Sequence, residues 1–271
     1  MDNLGIENMN EPIDIFLTCY LRQAYTEKTI SYLYERTKYP FRLFVIDQGG
    51  NDEVLALAGD RVFQRIKMMP NAGIHAAWNV ALALAESDYF ITTDNDIYVP
   101  DLRNIVSPNK PETLTTLTDQ PCWLERLVKL MDERPDYGAI SLHPHIFVGA
   151  VGIDPNDPED VKERNMCGAV MRIMRREAVW KAGGWERVIR TGRNHEERTI
   201  CSRLKTAGYK VGICSRIRAY HPFGKDIPDQ SGWGYPAEFP PDKQGHRPEL
   251  KDEVLRFDNI AAYDERTWLP K

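Results

Sequence analysis

Tyr89-Phe90-Ile91-Thr92-Thr93-Asp94-Asn95-Asp96 is the stretch on which the reading of this chain turns. The aromatic and β-branched residues from Tyr89 to Thr93 favour a buried strand, which stops at two acids flanking an asparagine. At a strand end residues i and i+2 point to one side, so Asp94 and Asp96 can face a common ligand. Two carboxylates held together repel, and a divalent cation relieves that repulsion. Hard oxygen donors select Mg2+ or Mn2+ over zinc. The same triplet also makes a good Asx-closed turn; what separates the two readings is the buried strand before it.

Upstream, residues 13–19 (IDIFLTC) read as a strand, 27–36 as a helix and 42–47 (RLFVID) as a second strand. A turn at Gln48-Gly49-Gly50-Asn51-Asp52 follows, then a helix–strand pair over 53–68 and an alanine-rich helix over 74–86. Such alternation predicts an α/β fold with a mostly parallel sheet flanked by helices. Ligands in these sheets sit beyond the carboxyl ends of the strands. Thr18, Asp47 and Asp94 all fall at strand ends, whereas Asp14 lies inside one.

Downstream, 105–121 reads as a loop, 123–134 as an amphipathic helix, 138–143 as a strand and 149–160 as a second loop. A strand over 168–174 leads to a helix over 175–182, stopped by Gly183-Gly184. Asn194 is placed to cap a helix over 195–207 that ends at Gly208. This organisation predicts a polar leader (1–12), one domain (13–224) and an irregular, proline-rich tail (225–271).

The 271 residues carry a net charge of −5, unevenly spread: from Lys162 to Arg218 fifteen Lys/Arg face five Asp/Glu. A basic segment in an acidic protein predicts an anionic partner there, against the plainer reading of a solvated face. Cys19, Cys122, Cys167, Cys201 and Cys214 are scattered with no C-x-x-C pair, so neither a disulfide framework nor a zinc site follows. The acidic, polar opening is unlike a secretory leader, and no apolar run approaches the ~20 residues of a membrane span. A cytoplasmic enzyme is expected, with peripheral membrane contact compatible.

Taken in order, these blocks resemble glycosyltransferase family 2 over residues 13 to about 224. The opening strand ending in Thr18-Cys19-Tyr20 is similar to the family's first strand. Phe44-Val45-Ile46-Asp47 with its glycine-bearing turn is similar to its second. Asn71-Ala72-Gly73-Ile74, then Ala77-Trp78-Asn79, looks like its Asn-x-Gly segment and downstream Asn. The Asp94-Asn95-Asp96 triplet matches its D-x-D block. Gly168-Ala169, Arg175-Arg176-Glu177 and Gly183-Gly184-Trp185 look like its acceptor-side strand, helix and turn. Glu196-Glu197, Arg203-Leu204 and Ala207-Gly208-Tyr209 resemble its acidic pair and the segment after it. His221 falls where the family often has a metal-binding histidine.

The resemblance implies a GT-A-type, Rossmann-like single domain, with a nucleotide-binding half (13–101) and an acceptor-binding half (102–224). It implies an inverting transferase moving a sugar from a nucleotide-sugar, with UDP favoured, and using Mn2+ or Mg2+. Thr18, Tyr20, Asp47, Gly73, Asp94 and Asn95 would hold the nucleotide, and Asp96, His221 and Asp94 the metal. Gly168 and Trp185 would line the acceptor side. The base would be the second acid of the pair, Glu197. The usual Glu-Asp is Glu-Glu here, and helix neighbours point about 100° apart, so Glu196 remains the other candidate. An anionic acceptor is expected: a phosphate-bearing glycan, a lipid-linked saccharide or a modified nucleic acid. Two other functions compete. A sugar-nucleotide pyrophosphorylase would need a glycine-rich loop after the first strand, where Thr18-Cys19-Tyr20-Leu21-Arg22-Gln23 has none. A non-catalytic sugar-binding module would not need the retained acids. His143-Pro144-His145 reads as structure, and Trp233-Gly234-Tyr235 as a candidate edge of the acceptor pocket.

Overall fold

The computed structural model describes residues 11–49, 51–68, 72–99, 122–144, 160–186, 195–219 and 221. The leader's first ten residues, the 105–121 loop, most of 149–160, Asn194, His145 and the tail with Trp233-Gly234-Tyr235 lie outside them.

Strands β1 (Ile13–Cys19), β2 (Phe41–Asp47), β3 (Gln64–Lys67) and β4 (Tyr89–Asp94) form one half of an eight-stranded sheet. The other half holds β5 (Tyr137–Pro144), β6 (Val161–Glu163), β7 (Arg172–Arg175) and β8 (Lys210–Ala219). The order is β3-β2-β1-β4-β7-β5-β8-β6. The first four strands pair in parallel, and so do β5 and β8, whereas β7 runs antiparallel to β4 and β5, and β6 to β8. All seven residues of β1 are buried, as suits a central strand covered on both faces. Its one acid, Asp14, accepts from Arg42 Nε at 2.7 Å and from the Glu86 N–H at 2.8 Å, so the carboxylate is matched within the fold.

Helices cover both faces. Ile30 and Leu33 of α1 (Gln23–Arg36) and Trp123, Leu124, Leu127, Leu130 and Met131 of α4 (Trp123–Glu133) pack in one apolar layer. The α4 residues recur at helical spacing and make one stripe. On the other face lie Ala76, Ala77, Trp78, Val80 and Ala81 of α3 (Ile74–Leu84), with Ala178 and Val179 of α5 (Arg176–Lys181) and Ile200, Cys201 and Leu204 of α6 (His195–Thr206). The short helix α2 (Asp52–Ala58) follows β2. Among the described residues no helix is long and apolar enough to cross a membrane.

Two differences from the sequence reading bear on the site. The strand expected over 168–174 begins only at Arg172: Ala169 N–H is given to a side chain, Glu197 Oε1, and Met171 takes a positive φ of 45°. Helix α1 begins at Gln23, ahead of the expected residue 27, because Leu21 and Arg22 adopt φ of 52° and 57° and Arg22 O accepts the N–H groups of Tyr25 and Thr26. Neither left-handed turn uses a glycine, so neither carries the usual sequence mark.

Candidate active site

The carboxyl ends of β1, β2 and β4 lie side by side: in the sheet register Thr18 stands opposite Asp94, and Cys19 opposite Asp47. Thr18 Oγ1 is buried and makes no hydrogen bond among the described residues, leaving a polar atom at the strand end for a ligand to satisfy. Asp47 is fully buried; its Oδ1 accepts from Gly49 N–H at 2.9 Å and its Oδ2 is paired with Arg65. Tyr20 follows β1 and is half-buried. Gly73 caps α3 with φ 84°, a conformation that side chains disfavour.

The β4 triplet splits its duties. Asn95 turns into the fold: its Nδ2 donates to Leu21 O at 3.1 Å and Thr26 Oγ1 at 2.8 Å, and its carbonyl accepts from Thr29 Oγ1 at 2.9 Å. That amide nitrogen fastens the start of α1 to the strand end. Asp96 Oδ2 is paired with Arg22 and stands 3.4 Å from Nε2 of His221, which follows β8. Burial pushes the Asp96 carboxyl up, but His221 and Arg22 outweigh it and hold the group below its ordinary value. His221 is raised: burial opposes protonation, while Asp96 and Asp94 favour it. Asp94 is pushed up to about 7, first by burial and then by the charge of Asp96, with Glu197 and Glu196 adding and His221 opposing.

Those interactions bring α6 into the site. Glu196 and Glu197 stand in its first turn, where the helix dipole favours acids. Glu197 Oε1 accepts from Ala169 N–H at 3.2 Å, and a Cβ added at Gly168 would lie 3.4 Å from the same oxygen. Burial raises the Glu197 carboxyl above its ordinary value and Glu196 adds to this, against Arg172, the Ala169 N–H and His221.

Trp185 needs correction. Its indole is 1% exposed, packs on Trp78 at 5.6 Å between ring centroids, and has its backbone N–H and carbonyl both bonded to Asn79. A ring so enclosed has no face to offer a sugar; it belongs to the core. Much of the basic segment is already partnered within the chain. Arg175 reaches Met131 O, Arg176 reaches Glu86 O, Arg203 reaches the carbonyls of Gly183 and Gly184, and Lys210 pairs with Asp136 and Glu163.

Two cations were not singled out from sequence. Arg22, on Asp96, sits in a left-handed turn that no pattern announces. Arg172 is 0% exposed, its guanidinium 4.6 Å from the Trp78 ring and 5.7 Å from that of Trp185, with Nη2 donating to Thr92 Oγ1 at 3.1 Å. An arginine inside the apolar run Ala169-Val170-Met171-Arg172-Ile173-Met174 was the available signal.

As to a metal, Asp96 and His221 bring an oxygen and a nitrogen donor within 3.4 Å of each other. Ions of the Mg2+ type take one or two carboxylates and complete their shell with water and substrate phosphate. Among the described residues no group of three or more His, Cys, Asp or Glu side chains is placed to hold a metal ion.

A family model, glycosyl transferase family 2, matches residues 14–108. Over this segment the chain is similar to glycosyltransferase family 2. Similar solved structures include mannosyltransferase PcManGT from Pyrobaculum calidifontis in complex with GDP-Man and Mn2+, with TM-score 0.56 and 16% identity over 80% of this chain and 59% of that one. S. aureus TarS 1-349 gives TM-score 0.55 and 14% identity over 78% and 60%. GalNAc-T7 with UDP, GalNAc and Mn2+ gives 0.53 and 11% over 83% and 45%. At these identities the likeness shows the fold, which is GT-A. The chain spans about three fifths of the length of the first two. No curated protein sequence matches it. The family 2 match takes in β1 to β4 and the acidic triplet, while Glu197 and His221 lie beyond it.

Proposed function

We propose that this family 2 chain transfers a sugar from a UDP-sugar to an acceptor hydroxyl, with inversion at the anomeric carbon. One observation carries the reading: Glu197, on a separate helix, shares the electrostatic neighbourhood of Asp94 and His221. An acid of α6 thus lies within electrostatic reach of the acidic strand end.

The residues divide the work. Thr18, Tyr20 and Asp47 hold base and ribose, with Gly73 admitting the nucleotide close to the backbone. Asp94 meets the ribose. Asp96 and His221 would hold Mn2+ or Mg2+, which neutralises charge on the diphosphate leaving group. Arg22, already drawn to Asp96, is placed to add positive charge on the same side. Glu197, oriented by the Ala169 N–H, accepts the acceptor's hydroxyl proton. The freed oxygen attacks the anomeric carbon as the bond to the diphosphate breaks on the opposite face. Glu196 raises the affinity of Glu197 for that proton.

Thermal-shift measurements across nucleotide-sugars, with and without Mn2+, test the donor half. Stabilisation by a UDP-sugar that requires metal and vanishes in Asp96→Ala is expected; at ligand a hundredfold above Kd it amounts to about 2.7 kcal/mol. Stabilisation by no nucleotide-sugar under either condition would overturn the reading.

A further inference from the structure

Cys201 lies four residues after Glu197 on α6, one helical turn along the same face. Cys167 directly precedes Gly168-Ala169, the backbone whose N–H holds Glu197 Oε1. Both cysteines are 0% exposed, and their sulfurs stand 3.7 Å apart. Cys167 N–H also points at Cys201 Sγ from 3.5 Å. The seam between α6 and residues 167–169 is therefore closed by the thiol pair and, one turn earlier, by Glu197 against Ala169.

The pair is unequal. A hydrogen bond from Cys167 pulls the Cys201 thiol below its ordinary value, with burial opposing and the Arg172 guanidinium assisting. Cys167 is driven up by the same hydrogen bond and by burial. These directions make Cys201 the more acidic of the two thiols, and a thiolate is the reactive form.

We propose that Cys167 and Cys201 form a reversible disulfide that draws α6 against residues 167–169 and slows sugar transfer by displacing Glu197; the effect on transfer rests on the reading of Glu197 as the base. The oxidant is hydrogen peroxide. Cys201 thiolate attacks one peroxide oxygen, the O–O bond breaks, and the departing hydroxide takes up a proton to leave as water. The resulting sulfenic acid is attacked by Cys167, whose proton goes to the hydroxyl that leaves as the second water. Two thiols and one peroxide become one disulfide and two waters, and an added dithiol reverses the change.

Bonding brings the sulfurs from 3.7 Å to about 2.05 Å. That closure pulls on the helix that carries Glu197 one turn away, and misplacement of a base by about 1 Å can lower a rate on the order of 100-fold.

The test uses the full chain with Cys122→Ser, which removes the most exposed described thiol. Reduced protein is treated with hydrogen peroxide, alkylated and mapped by mass spectrometry. A Cys167–Cys201 cross-link is expected, with the mass lowered by two hydrogens, reversed by dithiothreitol and absent from Cys167→Ala and from Cys201→Ala. In the parent, oxidation lowers kcat about 10- to 100-fold with the donor KM little changed, while in both alanine variants kcat is insensitive to peroxide. Cross-links to other cysteines, or sulfur oxidation without a cross-link, overturn the disulfide. A cross-link that leaves kcat unchanged overturns its effect on transfer. The cross-link is read by mass and needs no activity, so its absence speaks against the disulfide alone. Absence of transfer by the reduced protein speaks against the reading of Glu197.

Discussion

Glu197 and Glu196 are adjacent acids in one helical turn, yet the surroundings separate them. Only Glu197 has an oxygen bonded to Ala169 N–H, and its carboxyl is raised by burial and by its neighbour. A base must be ionised to act. Activity should therefore fall as pH drops through the raised Glu197 value, placing the acid limb of kcat above the ordinary glutamate value of 4.5. Arg172 opposes the rise, so Arg172→Met should move that limb to higher pH, which a pH–rate profile reads directly. Glu197→Gln should lower kcat by about 10^2- to 10^4-fold with the donor KM nearly unchanged. Glu196→Gln should cost far less and shift the acid limb downward, since one raising charge is gone. Equal loss from both substitutions, with no shift in the limb, would contradict the assignment. The acidic pair was visible in sequence; the choice between its members was not, because it depends on a backbone N–H 28 residues away.

At the scale of elements, Asn95 joins parts that the sequence lists separately. Its Nδ2 donates to Leu21 O and Thr26 Oγ1, Thr26 Oγ1 donates to Asn51 Oδ1 at 2.8 Å, and Asn51 Nδ2 donates to Gly49 O at 3.0 Å. The acidic strand end, the start of α1 and the turn after β2 are thereby one hydrogen-bonded unit. Asn95→Ala leaves buried acceptors without their donor and should lower stability by roughly 1–3 kcal/mol, measured by chemical denaturation. Asn95→Asp, which keeps the shape and loses the donor, should fall in the same range; if both match the parent, the network is decorative. Hydrophobic spacing made β1, β2, β4, α3 and α4 legible to within a few residues. The direction of β7 was not legible, since alternation is the same either way along a strand. Edge strand β6, three residues long, is too short to show a period.

For the whole molecule the open question is what the fifteen basic residues between 162 and 218 serve. Composition treats them alike, but the fold spends many within itself: Arg172 on two indoles, and Arg175, Arg176 and Arg203 on carbonyls. Exposed Arg198 on α6 lies one residue past Glu197, and Arg187, Arg190 and Arg193 precede the same helix in sequence. Along the sequence these basic residues flank Glu197, and the prediction for an anionic acceptor is put to them. Screening at an ionic strength of 0.15 M limits such attraction to about 8 Å, so it should act on acceptors at the site and be salt-sensitive. The acceptor KM should then rise steeply with salt, and Arg190→Glu with Arg193→Glu should raise it further. Donor binding in the presence of Mn2+ should be unaffected by those substitutions, because Thr18, Asp47 and Asp96 belong to the other half of the sheet. Steady-state kinetics across salt concentrations, run on parent and double variant with charged and neutral acceptors, checks this. An acceptor KM that is flat with salt and blind to both substitutions would mean a neutral acceptor, and that the basic excess serves the fold alone.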